Sequence, residues 1–74
     1  MTSKKNQAFT VNGKERSLSG ILYVSNVLEE IGIQPDRKGV AVAINGELVT
    51  RTEWSSTLIA SGDHVEIVQA IQGG

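Results

Sequence analysis

Two Asn-Gly pairs, Asn12-Gly13 and Asn45-Gly46, constrain this chain more than any other feature. Asn-Gly is favoured where both central residues of a two-residue turn need positive φ, and such turns join antiparallel strands whose twist they match. Each pair stands between short runs of strand formers. Ala8–Val11 precedes the first, and residues 14–18 return after it. Val40–Ile44 is apolar at every position and precedes the second, with Glu47–Val49 following. An unbroken apolar run of this length places the third strand inside the sheet. In the first hairpin, Phe9, Val11 and Leu18 are the expected inward side chains.

One amphipathic helix lies between the hairpins. Ile21, Val24, Leu28 and Ile31 fall at spacings of three and four, Val27 widens the stripe, and Ser25, Asn26, Glu29 and Glu30 lie opposite. Gly32 is placed to end the helix in a left-handed conformation, and Pro35 prevents its continuation. The start falls between Ser19, which can cap, and Tyr23, which is a poor capping residue. After the second hairpin, residues 50–60 read as a covering connection with a short helical turn, anchored by Trp54, Leu58 and Ile59. Gly62-Asp63 turns the chain, and 64–71 form the last strand, which runs into the tail at 72–74.

The order is therefore β-β-α-β-β-β. Two hairpins around one helix, closed by a strand that must pair in the same sheet, give an α+β domain. The expected arrangement is a β-grasp: a mixed sheet of four to five strands with one main helix packed across one face. It occupies 7–71, after a disordered lead-in at 1–6. Alternation points Val42, Ile44, Val65 and Ile67 at the helix, and Ala41, Ala43, Glu66, Val68 and Ala70 away from it.

Composition narrows the function. A domain of 74 residues has a core worth only about 3–5 kcal/mol. With one Phe, one Tyr and one Trp, that core must come from Val, Ile, Leu and Ala, which leaves no material for a deep substrate cavity. The absence of Cys removes disulfides, a thiol nucleophile and cysteine-based metal sites. No metal site is expected. A net charge of −1 offers no basic field for a phosphate backbone, so nucleic acid is not an expected partner. No signal-like apolar stretch follows Lys4 and Lys5, and no run approaches the ~20 residues of a membrane span. The expectation is a cytoplasmic protein without a membrane partner.

The C-terminal residues carry the chemistry. Gly73 and Gly74 follow a strand with only Gln72 between, so the carboxylate is attached to a rigid base. The alternative is a frayed terminus with no role. Without a β-carbon, Gly73 and Gly74 can enter a narrow site in another protein. Three extended residues reach about 10 Å, enough to cross the rim of a cleft. A carboxylate is a poor electrophile until it becomes a mixed anhydride, which ATP supplies by adenylation. The chain has no Gly-rich phosphate loop leading into a helix, so it is expected to bind no cofactor, and the ATP site must belong to a partner. It reads as a protein co-substrate, not an enzyme.

Several stretches carry a family resemblance: Ala41-Val42-Ala43-Ile44-Asn45-Gly46, Val49 with Arg51-Thr52-Glu53-Trp54, Gly62-Asp63-His64-Val65-Glu66-Ile67-Val68, and the ending Ala70-Ile71-Gln72-Gly73-Gly74. They resemble the ThiS family of thiamine-biosynthesis sulfur carriers, within the ubiquitin-like β-grasp class. The likeness runs from Gln7 onward. Thr50 stands where that family usually has Pro, and the first six residues extend beyond its common start. The resemblance implies that an E1-like adenylyltransferase forms an acyl-adenylate on Gly74, and that sulfur from a cysteine desulfurase route converts it to a thiocarboxylate. Thiazole synthase would then consume the sulfur. Gln72 and Gly73 would give access to Gly74, and Ala41, Ala43, Val68 and Ala70 would form an apolar partner-binding face. A half-buried sheet face explains those four equally well. The molybdopterin-synthase small subunit and a ubiquitin-like modifier, ending in an isopeptide bond to lysine, share the tail logic and remain alternatives.

Other residues read more plainly. His64, the only histidine, is a solvated strand residue. Trp54 is a packing anchor, Glu29 and Glu30 form a solvated helix face, and Asp63 serves the turn. Arg51 is open between a partner contact and a surface charge.

Overall fold

Both Asn-Gly pairs make the turns their chemistry demands: φ is 51° and 86° at Asn12 and Gly13, and 52° and 86° at Asn45 and Gly46. Positive φ at both central residues matches a type I′ hairpin. The structure is a computed structural model that describes residues 7–70. The lead-in expected at 1–6, the last residue of the expected final strand and the tail at 72–74 lie outside the described residues.

The elements are β1 (Ala8–Val11), β2 (Lys14–Ser17), α1 (Val24–Glu30), β3 (Val40–Ile44), β4 (Glu47–Val49), a 3₁₀ turn (Arg51–Glu53) and β5 (His64–Gln69). The strands form one sheet in the order β2-β1-β5-β3-β4. β5 is central, parallel to β1 and antiparallel to β3. With one helix beside this mixed sheet, the architecture is the expected β-grasp. The expected inward set is borne out, with Phe9, Val11, Leu18, Val42, Val65 and Ile67 buried and Ile44 partly buried against the core. Among the described residues no helix is long and apolar enough to cross a membrane.

The helix is shorter than its apolar spacing suggests. Ile21 lies before its start and is 74% exposed, and Ile31 sits at its C-terminal edge, 37% exposed. The buried stripe is Val24, Val27 and Leu28. Tyr23 takes the N-cap position, where Asn26 Oδ1 accepts its backbone N–H at 2.9 Å. The connection satisfies the next two donors, because the Val24 and Ser25 N–H groups donate to the carbonyls of Thr57 (3.0 Å) and Trp54 (2.9 Å). Tertiary carbonyls thus do what a Ser or Asp side chain usually does. At the other end Gly32 is left-handed, with its N–H on Glu29 O and that of Ile33 on Leu28 O. This is the Schellman pattern, and its apolar partner pair is Ile33 with Leu28, both buried. Ile33 therefore replaces Ile31 in the core.

Two further expectations are corrected. Leu58 is 54% exposed, because it forms a β-bridge with Tyr23 and the alternation turns Ile59 inward instead. Trp54 and Ile59 remain as the buried anchors. The last strand ends at Gln69, not at residue 71, because its partner strand begins at Val40, the residue paired with Gln69. Among the described residues one bond continues beyond it, from Ala70 N–H to Gly39 O at 2.7 Å.

Candidate functional site

The helix covers one face of the sheet, and strand alternation decides what the other face offers. Register places Ala41 beside Val68, Ala43 beside Glu66, and Leu48 beside Ala43. Ala41, Val68 and Ala70 are exposed and Ala43 is half-buried, so the four expected face residues do lie together on the side away from the core. Val68 is 63% exposed. Leu48 at 69% belongs with them, although it was not among the expected residues. The signal was available: Val49 is the inward residue of a three-residue strand, so Leu48 must point outward.

The same face has a charge gradient. Towards the first turns of the sheet, Thr10 pairs with Glu15 on one side and His64 on the other, and Thr10 Oγ1 lies 3.0 Å from His64 Nδ1. Glu15 and Glu66 are the charged strand residues here. Among the described residues no strand Lys or Arg shares this face, because Lys14 and Arg16 alternate to the helix side, where Arg16 pairs with Glu30 at 3.3 Å. That exposed ion pair is worth under about 1 kcal/mol. The result is an apolar half, made by Leu48, Ala43, Ala41 and Val68, and an acidic half. The apolar half is the one that leads to Ala70 and the chain end.

Gly73, Gly74 and Gln72 lie outside the described residues, so the geometry concerns their base. Ala70 is the last described residue, held by its bond to Gly39 beside the apolar half. The remaining singled-out side chains are absorbed by the fold. Trp54 donates its indole N–H to Val49 O at 3.0 Å. Asp63 accepts from Ala60 N–H at 2.7 Å and from Asn45 Nδ2 at 3.0 Å. Arg51 stacks 4.4 Å from the Trp54 ring and donates to the carbonyls of Pro35 and Arg37. To the two readings open for this exposed side chain the structure adds an internal clamp, one that nothing in its local sequence could show. No group of three His, Cys, Asp or Glu able to hold a metal occurs among the described residues.

A β-grasp domain with one helix-covered face, one open apolar face and a Gly-Gly ending beyond its central strand has the form of the ubiquitin-like carrier class. Comparison with known proteins makes this specific. The ThiS family model matches residues 9–74. The sulfur carrier protein ThiS of Thermus thermophilus is 41% identical over 64 residues, covering 86% of this chain and 95% of that one. A crystal structure of a thiamine biosynthesis protein (ThiS) from Geobacter metallireducens superposes with a TM-score of 0.71 at 32% identity, covering 90% of this chain and 99% of that one. The chain belongs to the ThiS family, the sulfur carriers of thiamine biosynthesis. A thiazole synthase of Paramagnetospirillum magneticum is also 38% identical over 64 residues. The match covers 86% of this chain but spans only 19% of that protein.

Proposed function

We propose that this chain carries sulfur on the C-terminal carboxylate of Gly74, as a co-substrate acted on by partner enzymes and not as a catalyst. The observation that supports this best is the continuity of the exposed apolar face with Ala70, the last described residue before the tail. An enzyme that closes over the end of the chain meets that face at the same time. In an E1-like adenylyltransferase, a Gly74 carboxylate oxygen attacks the α-phosphorus of ATP, the α–β phosphoanhydride breaks, and pyrophosphate leaves. The terminal sulfur of a persulfide supplied through a cysteine desulfurase then displaces AMP to give an acyl disulfide. A thiol attacks the outer sulfur of that acyl disulfide and breaks the S–S bond, forming a disulfide and leaving the thiocarboxylate on Gly74. Thiazole synthase is the consumer, and the carrier-like stretch within a thiazole synthase supports that pairing. The setting is cytoplasmic, where all of these reactants are available.

Intact-mass measurement after incubation with the adenylyltransferase, ATP and a sulfur source tests the reading. The expected result is the gain of one oxygen-to-sulfur exchange, localised to Gly74. An unchanged mass overturns it, and isopeptide conjugates on lysines of other proteins would assign the chain to the modifiers.

The face makes its own prediction. Leu48→Glu puts a charge where an apolar contact is expected and adds to a face already acidic at Glu15 and Glu66. Central apolar anchors are typically worth more than 1 kcal/mol. The KM of the adenylyltransferase for the carrier is therefore expected to rise about tenfold. Because Leu48 is exposed, stability should change by no more than about 0.5 kcal/mol. Steady-state kinetics against carrier concentration, with a urea titration alongside, checks both.

A further inference from the structure

The loop between the helix and β3 carries a set of contacts that the carrier function does not by itself require. Val49 O accepts the Trp54 indole N–H, and the Trp54 ring lies under the Arg51 guanidinium. Arg51 then donates from its two terminal nitrogens to the Pro35 and Arg37 carbonyls, which ties down the loop leading to Gly39. Gly39 is left-handed at φ +76°, and its carbonyl accepts the Ala70 N–H at 2.7 Å. A β-carbon built on Gly39 would stand 3.1 Å from Ala70 Cβ. That is inside the ~3.5–4.0 Å at which two carbons pack favourably. The position thus needs glycine twice, for its backbone angle and for the closeness of Ala70.

We propose that Gly39 and Arg51 are positioning residues, which fix the direction in which the chain leaves β5 at Ala70 and so the base from which the tail is offered to the adenylating partner. The proposal rests on the reading of Gly74 as the reacting end. β5 loses its ladder at Gln69, so the Gly39–Ala70 bond is the last described restraint on the chain's path. A fork that grips two carbonyls of one loop holds that loop more firmly than a single donor can. Misplacing a reacting group by about 1 Å can cost as much as 100-fold in rate. A loosened Ala70 is accordingly read mainly in turnover, while the larger part of the apolar face, Ala41, Ala43, Leu48 and Val68, is untouched.

Two variants test this. Gly39→Ala inserts the obstructing carbon. Arg51→Lys keeps a cation beside Trp54 but cannot grip two carbonyls from a planar fork, and it spares Gly39 should the first variant fold poorly. Hydrogen exchange at the Ala70 amide is expected to quicken about tenfold in either folded variant, with the Val65 and Ile67 amides unchanged. In adenylation assays, kcat is expected to fall about tenfold with KM for the carrier within about twofold of wild type. The proposal is overturned if Ala70 exchange is unchanged in Arg51→Lys, or if it quickens while kcat holds. A wild-type chain that is never adenylated would count against the carrier reading instead, and the exchange measurement would still decide whether the restraint exists.

Discussion

Replacing Gly73 by Val is expected to slow adenylation of the chain about 100-fold and leave its melting temperature within about 4 °C of wild type. The two halves of this expectation have separate causes. β5 ends at Gln69, and the described core is made by residues up to Ile67. On the proposed reading the importance of Gly73 lies in passage: the penultimate residue would enter a site shaped for a chain without β-carbons. Val adds a branched β-carbon there and also disfavours the backbone angles that Gly reaches freely. Gly73→Ala should fall between, with a loss of about tenfold. Pyrophosphate release under single-turnover conditions measures the step directly. Equal rates for Gly, Ala and Val would mean that the tail is not threaded through a narrow site, and the role assigned to Gly73 would be wrong.

What was legible in the sequence follows from how local each signal is. The two Asn-Gly turns need only their own backbone angles, and both hairpins stand where those pairs placed them. Alternation needs only neighbours along a strand, so the inward and outward residues of β3 and β5 were readable as well. Helix spacing proved less sufficient. Ile21 and Ile31 share the apolar period, yet the helix begins where carbonyls of the 50–60 connection can receive its N–H groups, and it ends where Gly32 redirects the chain to bury Ile33. Neither event is local. The same is true of Arg51, whose partners Pro35 and Arg37 lie across the fold. For the face, Ala41, Ala43, Val68 and Ala70 were readable from their strands. Leu48 required the alternation rule to be applied to a strand of only three residues.

Asn12 presents the same contrast within one residue, and its substitution carries the largest stability effect expected for a polar side chain here. The turn explains why Asn is at position 12 but not what its side chain does. Its Nδ2 donates to Ile67 O at 3.1 Å, and its Oδ1 accepts the Ile67 N–H at 2.8 Å. β1 pairs with β5 only through Thr10 and Val11 before turning away, so the Asn12 amide stands in for the next backbone pair of the ladder. Asn12→Ala leaves a donor and an acceptor of the central strand without partners, at about 1–3 kcal/mol per group where water cannot replace them. It also places a β-carbon without a compensating side chain at positive φ, which costs about 1–2 kcal/mol. Because the site is only part-buried, a total near 2–3 kcal/mol is expected, against a domain stability of about 3–5 kcal/mol. Asn12→Gly removes the backbone term and keeps the loss of the amide, so it should be milder by about 1 kcal/mol. Asn45 stands at the same positive φ and carries the same backbone term, but its amide bonds Asp63 and the His64 N–H in a more exposed setting where water can replace it, so its change to Ala should cost about 1–2 kcal/mol. Urea titrations of the three variants order these effects. If Asn12→Ala is no worse than Asn45→Ala, the amide does not extend the ladder, and β5 would hold its course past Val65 by its pairing with β3 and side-chain packing.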